Sequence, residues 1–476
     1  MKILMVASEA TPFSKTGGLA DVIGALPAAL KHQGHDVAVV TPAYRTNHYP
    51  GPIREVYRNQ HISLGRGYNV DFYETIERGV PFYFVDCPEL FDRAGLYGEG
   101  GSDYPDNAIR FAVFSMAALV AARQLFRPQV IHCHDWQTAL VPVYIRQFFD
   151  GDPHLLGMKL VFTIHNLGYQ GLFPARVLPE IGVDGRLFTP DRLEFHGQLN
   201  LLKGGIIFSD IITTVSKGYA REIQTPEYGF GLENLLRTRA NRLTGIVNGV
   251  DYVEWNPETD THIAQNYSSG DLSGKLACKR ALLAEFGLPA DKPRKESGQV
   301  ERPLIGIVSR FVDQKGFDLI TQVAAELAGL DLCMTVLGGG EPRYESMFLE
   351  LAGTFPDKFG VHIGYDNPLA HRIEAGADMF LMPSRYEPCG LNQIYSLRYG
   401  TIPIVRATGG LDDTIDPETG FKFREYAGWA LFGAIEAALA AFEDRDQWTG
   451  MMQRGMQKDF SWTTSAAEYA RLYESF

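Results

Sequence analysis

Cysteine is scarce in this 476-residue chain: five residues (Cys87, Cys133, Cys278, Cys333 and Cys389), odd in number, scattered and without a C-x-x-C pair. That excludes a disulfide framework or a zinc knuckle as the organising device and fits thiols kept reduced in a cytoplasm. Positive charge is also in deficit. Lys and Arg number 44 against 57 Asp and Glu, a net charge of −13, which excludes a nucleic-acid backbone as the main partner. It admits a neutral substrate, or an anionic one met by a locally basic cleft. No uncharged apolar run approaches the roughly 18 residues that a membrane span needs. The nearest, Phe111 to Ala122, carries Ser115 and lies between Arg110 and Arg123, so it reads as a buried helix and no membrane partner is expected. The opening residues hold one lysine and a short apolar stretch before Ser8-Glu9, too little for a signal peptide. Neither G-x-G-x-x-G nor G-x-x-x-x-G-K-[ST] spells the first glycine-rich turn, so the familiar nucleotide motifs do not identify it.

What is present is a hydrophobic content of 45% with 21% charge, the balance of a globular protein, over a length that suits two domains. Strand-like and helix-like segments alternate, which predicts parallel sheets flanked by helices. In the first half Ile3–Ala7, Val37–Val40, Pro81–Val85, Val130–His132, Leu160–Ile164 and Ile211–Val215 read as strands, with a helical pattern over Asn107–Leu125. Asn248-Gly249-Val250-Asp251 and Trp255-Asn256-Pro257 break the rhythm and mark a hinge near residues 245–260. Residues 291–302 read as a solvated loop. A second series follows, over Leu304–Val308, Leu332–Leu337, Val361–Ile363, Met379–Met382 and Ile402–Val405. The expected architecture is α/β, two Rossmann-like doubly wound domains facing each other across a cleft. Residues 1–250 form the first domain, 251–455 the second, and 456–476 a C-terminal helix that either caps its own domain or crosses back to the first. The pattern from Trp448 to Phe476 reads as helical and amphipathic.

Four strand–glycine turn–helix units carry the candidate chemistry. In the first, Lys15-Thr16-Gly17-Gly18 precedes a helix with Leu19, Val22, Ile23, Leu26 and Leu30 on one face. Glycines let backbone approach a ligand, a helix start offers N–H groups to an anion, and Lys15 adds a full charge. The second, Arg310 to Gly316, follows the first strand of the second series. Arg310 can fork onto phosphate oxygens and Lys315 supplies a point charge. The third, Glu387-Pro388-Cys389-Gly390-Leu391, places a carboxylate before a helix start, and Cys389 reads as a packing residue. The fourth is Thr408-Gly409-Gly410-Leu411. Ligands of open α/β sheets bind at the carboxyl ends of strands, where all four lie. Four such turns in two domains point to a phosphate-bearing ligand. His165-Asn166 also follows a strand. His132, His134 and Asp135 invite a metal reading, but adjacent residues on an extended segment face opposite ways, so no metal site is expected. Asp444-Arg445-Asp446 has a D-x-D spacing within a charged helical run, Phe442–Trp448, and reads as a solvated face.

Taken in order, Lys15-Thr16-Gly17-Gly18-Leu19-Ala20-Asp21-Val22, His134-Asp135-Trp136-Gln137, His165-Asn166, Asn248-Gly249-Val250-Asp251, Arg310-Phe311 with Gln314-Lys315-Gly316, Glu387-Pro388-Cys389-Gly390-Leu391 and Thr408-Gly409-Gly410-Leu411 resemble the bacterial glycogen synthases and the related starch synthases. The resemblance spans nearly the whole chain. It implies a retaining GT-B glucosyltransferase that moves glucose from ADP-glucose to the non-reducing end of an α-1,4-glucan (glycogen or a maltooligosaccharide) and releases ADP, with no cofactor and no metal. It further implies that Lys15, Gly17 and Gly18 approach the distal phosphate and the glucose, with Asp21 and Tyr97 nearby. Arg310 and Lys315 neutralise the leaving diphosphate. Glu387 binds a glucose hydroxyl beside the backbone N–H groups of Cys389, Gly390 and Leu391, and Thr408, Gly409 and Gly410 line the donor. His165 and Asn166 contact the glucose, and Asn248 lies on the donor side. The catalytic set is Lys15, His165, Arg310, Lys315 and Glu387.

The residues agree with that chemistry, because fixed cations and helix starts aimed at a departing diphosphate stabilise charge as it develops. A second Glu that often follows the first by eight residues in retaining GT-B enzymes is Tyr395 here, which disfavours a two-carboxylate mechanism and favours front-face attack. Asn392, where the family commonly has Thr or an aliphatic residue, is expected to tune donor binding. The rivals are a UDP-glucose-using synthase, a sugar-phosphate epimerase, a dinucleotide oxidoreductase and a non-catalytic glucan-binding protein. The preference for adenine rests on the resemblance alone.

Overall fold

The computed structural model describes residues 1–149, 151–155, 157–289 and 302–475. The chain divides into two compact units, one of Met1–Val215, Ala220–Gly249 and Trp462–Phe476, the other of Ser216–Tyr219 and Val250–Ser461. The solvated loop expected over 291–302 lies, except for Arg302, outside the described residues.

The first unit is built on a nine-stranded sheet. Its order is Leu243–Gly245, Ile211–Thr214, Lys159–Ile164, Val130–His134, Lys2–Val6, Asp36–Pro42, Val80–Asp86, Arg66–Glu77 and Arg54–Leu64. The first seven run parallel, and the last two close the edge as an antiparallel hairpin. Central strands are apolar without alternation because both faces are covered: Ile3, Leu4, Met5 and Val6 are all fully buried. The hairpin escapes a reading based on buried runs, since its outer strand is mostly exposed and polar. The helix over Asn107–Ala121 continues as one π turn, Ala122–Phe126, and stops at Arg127, which adopts a left-handed backbone. By length and composition Asn107–Phe126 could cross a membrane, yet most of it is buried inside this unit. It is a core helix.

The second unit holds a six-stranded, all-parallel sheet in the order Phe359–Ile363, Cys333–Gly340, Leu304–Phe311, Met379–Met382, Ile402–Arg406 and Phe421–Phe423. Both sheets have a switch point. In the first unit the chain leaves Lys2–Val6 toward Asp36–Pro42, then returns to lay Val130–His134 on its other side. In the second, Leu304–Phe311 lies between Cys333–Gly340 and Met379–Met382 in the same way. Loops leaving the two strands at a switch point part in opposite directions and open a crevice between them.

The C-terminal segment departs from the sequence reading. Instead of one helix from Trp448, it forms Arg445–Gln457 and Trp462–Glu474 with a break between them. The D-x-D run is likewise a junction rather than a helical face. One helix ends at Phe442, and Asp444 caps the next by accepting a hydrogen bond from the Gln447 amide at 3.0 Å. The final helix belongs to the first unit, where Trp462, Ala466, Tyr469 and Tyr473 join the core with Ile3, Met5, Val22 and Leu26.

Candidate active site

In the first unit the switch-point loops follow Lys2–Val6 and Val130–His134. Ser8 and Glu9 leave the first strand fully or nearly buried. The Glu9 carboxylate reaches the start of helix Gly18–His32, where it accepts from the Thr16 amide at 2.5 Å and the Thr16 hydroxyl at 3.0 Å. The turn expected to cradle an outside anion therefore already holds one of the protein's own. Burial raises the Glu9 carboxyl to about 7, with the charge of Asp21 adding to the effect and the Thr16 bonds opposing it. Lys15 is exposed and pairs with Asp21 at 2.7 Å. Tyr97 donates to or accepts from the Ser8 hydroxyl at 2.7 Å. Gly17 and Gly18 face open space where a Cβ would stand, and neither has a positive φ. Nothing within the fold demands glycine at either position, which leaves access to the loop as the property they confer.

Asp135, at the end of the neighbouring strand, has a left-handed φ of 57°. That turn aims its carboxylate at the next loop, where it accepts from the His165 amide at 2.8 Å. Burial, and to a lesser degree the charge of Glu9, raises Asp135 to about 7. His165 is held from behind: its Nε2 is 3.0 Å from His134 Nδ1. Burial depresses His165 to about 3, so it is a neutral imidazole. Asn166 caps its own turn through the Gly168 amide at 3.0 Å, and Asn248 is buried with its Oδ1 unpartnered among the described residues. His132 and His134 stand on one face of their strand with ring centroids 4.1 Å apart. Their ring partners are Tyr473, Thr163 and His165.

In the second unit, Glu387 follows Met379–Met382 and is 5% exposed. Its Oε2 accepts from Lys315 Nζ at 2.6 Å and from the Ser384 hydroxyl at 3.0 Å. Lys315 comes from the loop after Leu304–Phe311, so the pair bridges the switch point. Gly316 makes the approach possible: its φ is +72°, and a Cβ there would sit 2.0 Å from the Pro383 carbonyl oxygen. Arg310 is exposed at the end of its strand. Gly390 has a φ of +70°, and the Gly410 amide donates to the Glu387 carbonyl at 3.0 Å. Thr408 and Gly409 are buried beside it at the start of helix Gly409–Thr414, and Leu391 precedes helix Asn392–Arg398. Cys389 is buried, as a packing residue should be. Asn392 does something the sequence reading missed: its Nδ2 donates to the Val308 carbonyl at 2.7 Å, tying the helix start to the adjacent strand.

A model of the starch synthase catalytic domain matches residues 2–238, and one of glycosyl transferases group 1 matches residues 290–450. A glycogen synthase of Koribacter versatilis (strain Ellin345) is 52% identical over 485 residues, covering 100% of this chain and 98% of the relative. The chain belongs to the glycogen synthase family. A second glycogen synthase, from Myxococcus xanthus (strain DK1622), is 49% identical with 99% of both chains covered. Among solved structures, the catalytic domain of starch synthase IV from Arabidopsis thaliana, bound to ADP and acarbose, aligns at a TM-score of 0.90 and 34% identity, covering 99% of this chain and 98% of that one. Sucrose-phosphate synthase from Thermosynechococcus elongatus shares the fold at a TM-score of 0.60 and 19% identity. The architecture is thus GT-B, two Rossmann-like units with parallel sheets, and the family makes the chain a glycosyltransferase.

Within this glycogen synthase framework two acidic groups escaped the sequence reading as site residues. In the sequence Glu9 reads as the charge that ends an apolar stretch, and Asp135 as part of the His134-Asp135-Trp136-Gln137 motif and of a metal reading that is set aside. No spacing rule marks a carboxylate that burial will raise. Tyr365, 87% exposed just past strand Phe359–Ile363, is a further residue the sequence does not single out: an unburied aromatic face at the carboxyl edge of the second sheet. Tyr395, in the place of a second Glu, lies flat on Trp255 at 3.9 Å and 6°, and Trp255 stacks in turn on His371 at 3.8 Å. That position is committed to packing.

Proposed function

We infer that the protein works as a glycogen synthase, transferring glucose with retention from ADP-glucose to the non-reducing end of an α-1,4-glucan and releasing ADP. Full-length relatives about half identical carry that name, and the starch synthase IV structure holds ADP and acarbose. The observation that carries the residue-level reading is the Lys315–Glu387 pair at the switch point of the second unit. With both bonds on Oε2, Glu387 has Oε1 for a glucose hydroxyl. Lys315, neighbouring Arg310, and the N–H groups of Cys389, Gly390 and Leu391 face the diphosphate, with Thr408, Gly409 and Gly410 lining the donor. Tyr365 offers a face on which a base can stack. In the first unit Lys15, Gly17 and Gly18 meet the distal phosphate and the sugar, with Asp21, Tyr97, Asn166 and Asn248 as further contacts. His165 serves as a neutral hydrogen-bonding group.

Breaking the bond from glucose C1 to phosphate oxygen leaves negative charge on the diphosphate and positive charge on the sugar. Arg310 and Lys315, both carried by the second unit, stabilise the first, with Lys15 of the first unit adding a further cation; charge already in place is what such sites gain most from. These cations supply the neutralisation, so the proposal calls for no metal and no cofactor. The acceptor hydroxyl attacks from the face the phosphate leaves, and the phosphate oxygen takes its proton. Five free, buried cysteines suit a reducing cytoplasm.

The test is ADP release from ADP-glucose with and without maltooligosaccharide, with UDP-glucose as the parallel donor. Acceptor-dependent release, faster from ADP-glucose, is expected. Release that ignores the acceptor, or none at all, points to an epimerase or a glucan-binding protein and overturns the reading. Glu387→Gln is expected to lose most turnover without accumulating a glycosyl-enzyme. An adduct trapped and weighed by mass spectrometry would replace front-face attack with double displacement.

A further inference from the structure

The first unit has a cavity of about 600 Å³ whose wall carries four arginines, Arg146, Arg192, Arg239 and Arg242, and one carboxylate, Asp210. In a chain of net charge −13 this is a local reversal of sign. Arg146 pairs with Asp210 at 3.2 Å, and Arg192 lies 3.8 Å from Asp191. Arg239 and Arg242 bond no carboxylate among the described residues. Arg239 is half-buried and donates only to the backbone carbonyls of Ile207, at 3.0 Å, and Ser209, at 2.7 Å. Burial and the neighbouring charge of Arg242 act against its cation, and the charge of Asp210 opposes them in part. Ser209 also lines the cavity, and its buried hydroxyl has no partner among the described residues.

We propose that this cavity is a second anion site, for a small molecule carrying two phosphate groups or a phosphate beside a carboxylate. A concave wall with an excess of one sign, here four arginines against the single carboxylate of Asp210, concentrates field on whatever enters it, and guanidinium forks match phosphate oxygens two at a time. The volume is that of a small-molecule pocket. A nucleic acid would instead need a basic stripe extending beyond one cavity.

The cavity is separate from the site of glucose transfer. Ser209 and Asp210 stand just before strand Ile211–Thr214, and Asp210 Oδ2 accepts from the Leu160 amide at 2.9 Å, at the start of Lys159–Ile164. These are amino ends of strands, whereas His165 follows the carboxyl end of the second. A four-residue strand spans about 13 Å, so one molecule of this size does not serve both places.

Inorganic pyrophosphate is the probe, titrated calorimetrically into the full-length wild type, the double reversal Arg192→Glu/Arg242→Glu, and Lys315→Ala. Reversing two exposed arginines leaves the Arg239 bonds to backbone intact, and an unchanged melting temperature and unchanged glucose transfer check the fold. Expected is pyrophosphate binding that weakens by at least about tenfold in the double reversal and persists in Lys315→Ala, with ADP affinity untouched by the reversal. Equal binding in wild type and double reversal overturns the proposal. So does binding lost in Lys315→Ala alone, which would place the probe on the donor residues. An oligonucleotide held more tightly than pyrophosphate through the same arginines would overturn it in favour of a polyanion groove.

Discussion

At the scale of single residues, Glu9 and Lys315 pull in opposite directions. Glu9 is a buried carboxyl raised from 4.5 to about 7, so the folded protein holds its proton more tightly than the unfolded chain does. Its contribution is therefore complete below about pH 4.5 and is lost as the pH climbs toward 7. Asp135, also raised to about 7, slopes the same way. Glu9→Gln keeps an acceptor for the Thr16 amide and removes one of the two titrations. Its unfolding free energy, measured against wild type from pH 5 to 8, is expected to gain ground as pH rises, by on the order of 2–3 kcal/mol at the top of the range. A constant offset across that range would mean that Glu9 does not titrate there. Lys315→Ala removes the cation proposed to face the diphosphate and leaves the Glu387 Oε2 with the Ser384 hydroxyl alone. A fall in kcat of about 10²–10³-fold is expected, with Glu387→Gln in the Lys315→Ala background costing little more because the two act as a unit. Strictly additive losses in a double-mutant cycle would separate them.

At the scale of elements, the loops are shaped by backbone contacts that tolerate no side chain. A Cβ on Gly410 would lie 2.0 Å from the Cys389 carbonyl oxygen, a fixed backbone atom. Gly410→Ala is expected to push the Glu387–Leu391 turn aside, abolishing transfer while the second unit still melts cooperatively. Retained activity would show that the two turns can slide apart. The same turns show how much the sequence could reveal. Strands Leu304–Phe311, Met379–Met382 and Ile402–Arg406 were legible because parallel strands covered on both faces are continuous apolar runs, and the glycine turns after them fell where strands must end. The hairpin Arg54–Glu77 was not, because a half-exposed edge pair mixes charge and apolar residues without a clean period of two. Nor was the break after Gln457 legible, since amphipathic spacing persists across it. For the candidate site, chemistry plus position singles out Lys15, Arg310, Lys315 and Glu387 in the sequence, and the structure pairs two of them, Lys315 and Glu387. The burial that raises Glu9 and Asp135, and the tie from Asn392 to Val308, were not legible, since one-dimensional spacing encodes neither.

At the scale of the whole molecule, the first unit is assembled from both ends of the chain. Trp462, Ala466, Tyr469 and Tyr473 are buried in the core that Lys2–Val6 begins, and the Tyr473 hydroxyl bonds His132 at 2.7 Å. Burying each of the three large side chains, Trp462, Tyr469 and Tyr473, is worth about 1.5–3 kcal/mol, so together they reach the lower half of the 5–15 kcal/mol that holds a typical domain. A chain ending at Ser461 is expected to lose cooperative melting of the first unit while the second, which retains its own core, still unfolds in one step. Two intact transitions in calorimetry would count against this. The returning helix also sets an order of events during biosynthesis. The second unit lies mostly between Val250 and Ser461 and has nearly all its residues once that stretch has left the ribosome. The first unit does not. Between Gly249 and Trp462 lie roughly 210 residues, about 10–40 s of translation at 5–20 residues per second, during which its apolar sheet waits for a missing helix. The unit made first is the one finished last, and so the one with the longer need of a chaperone.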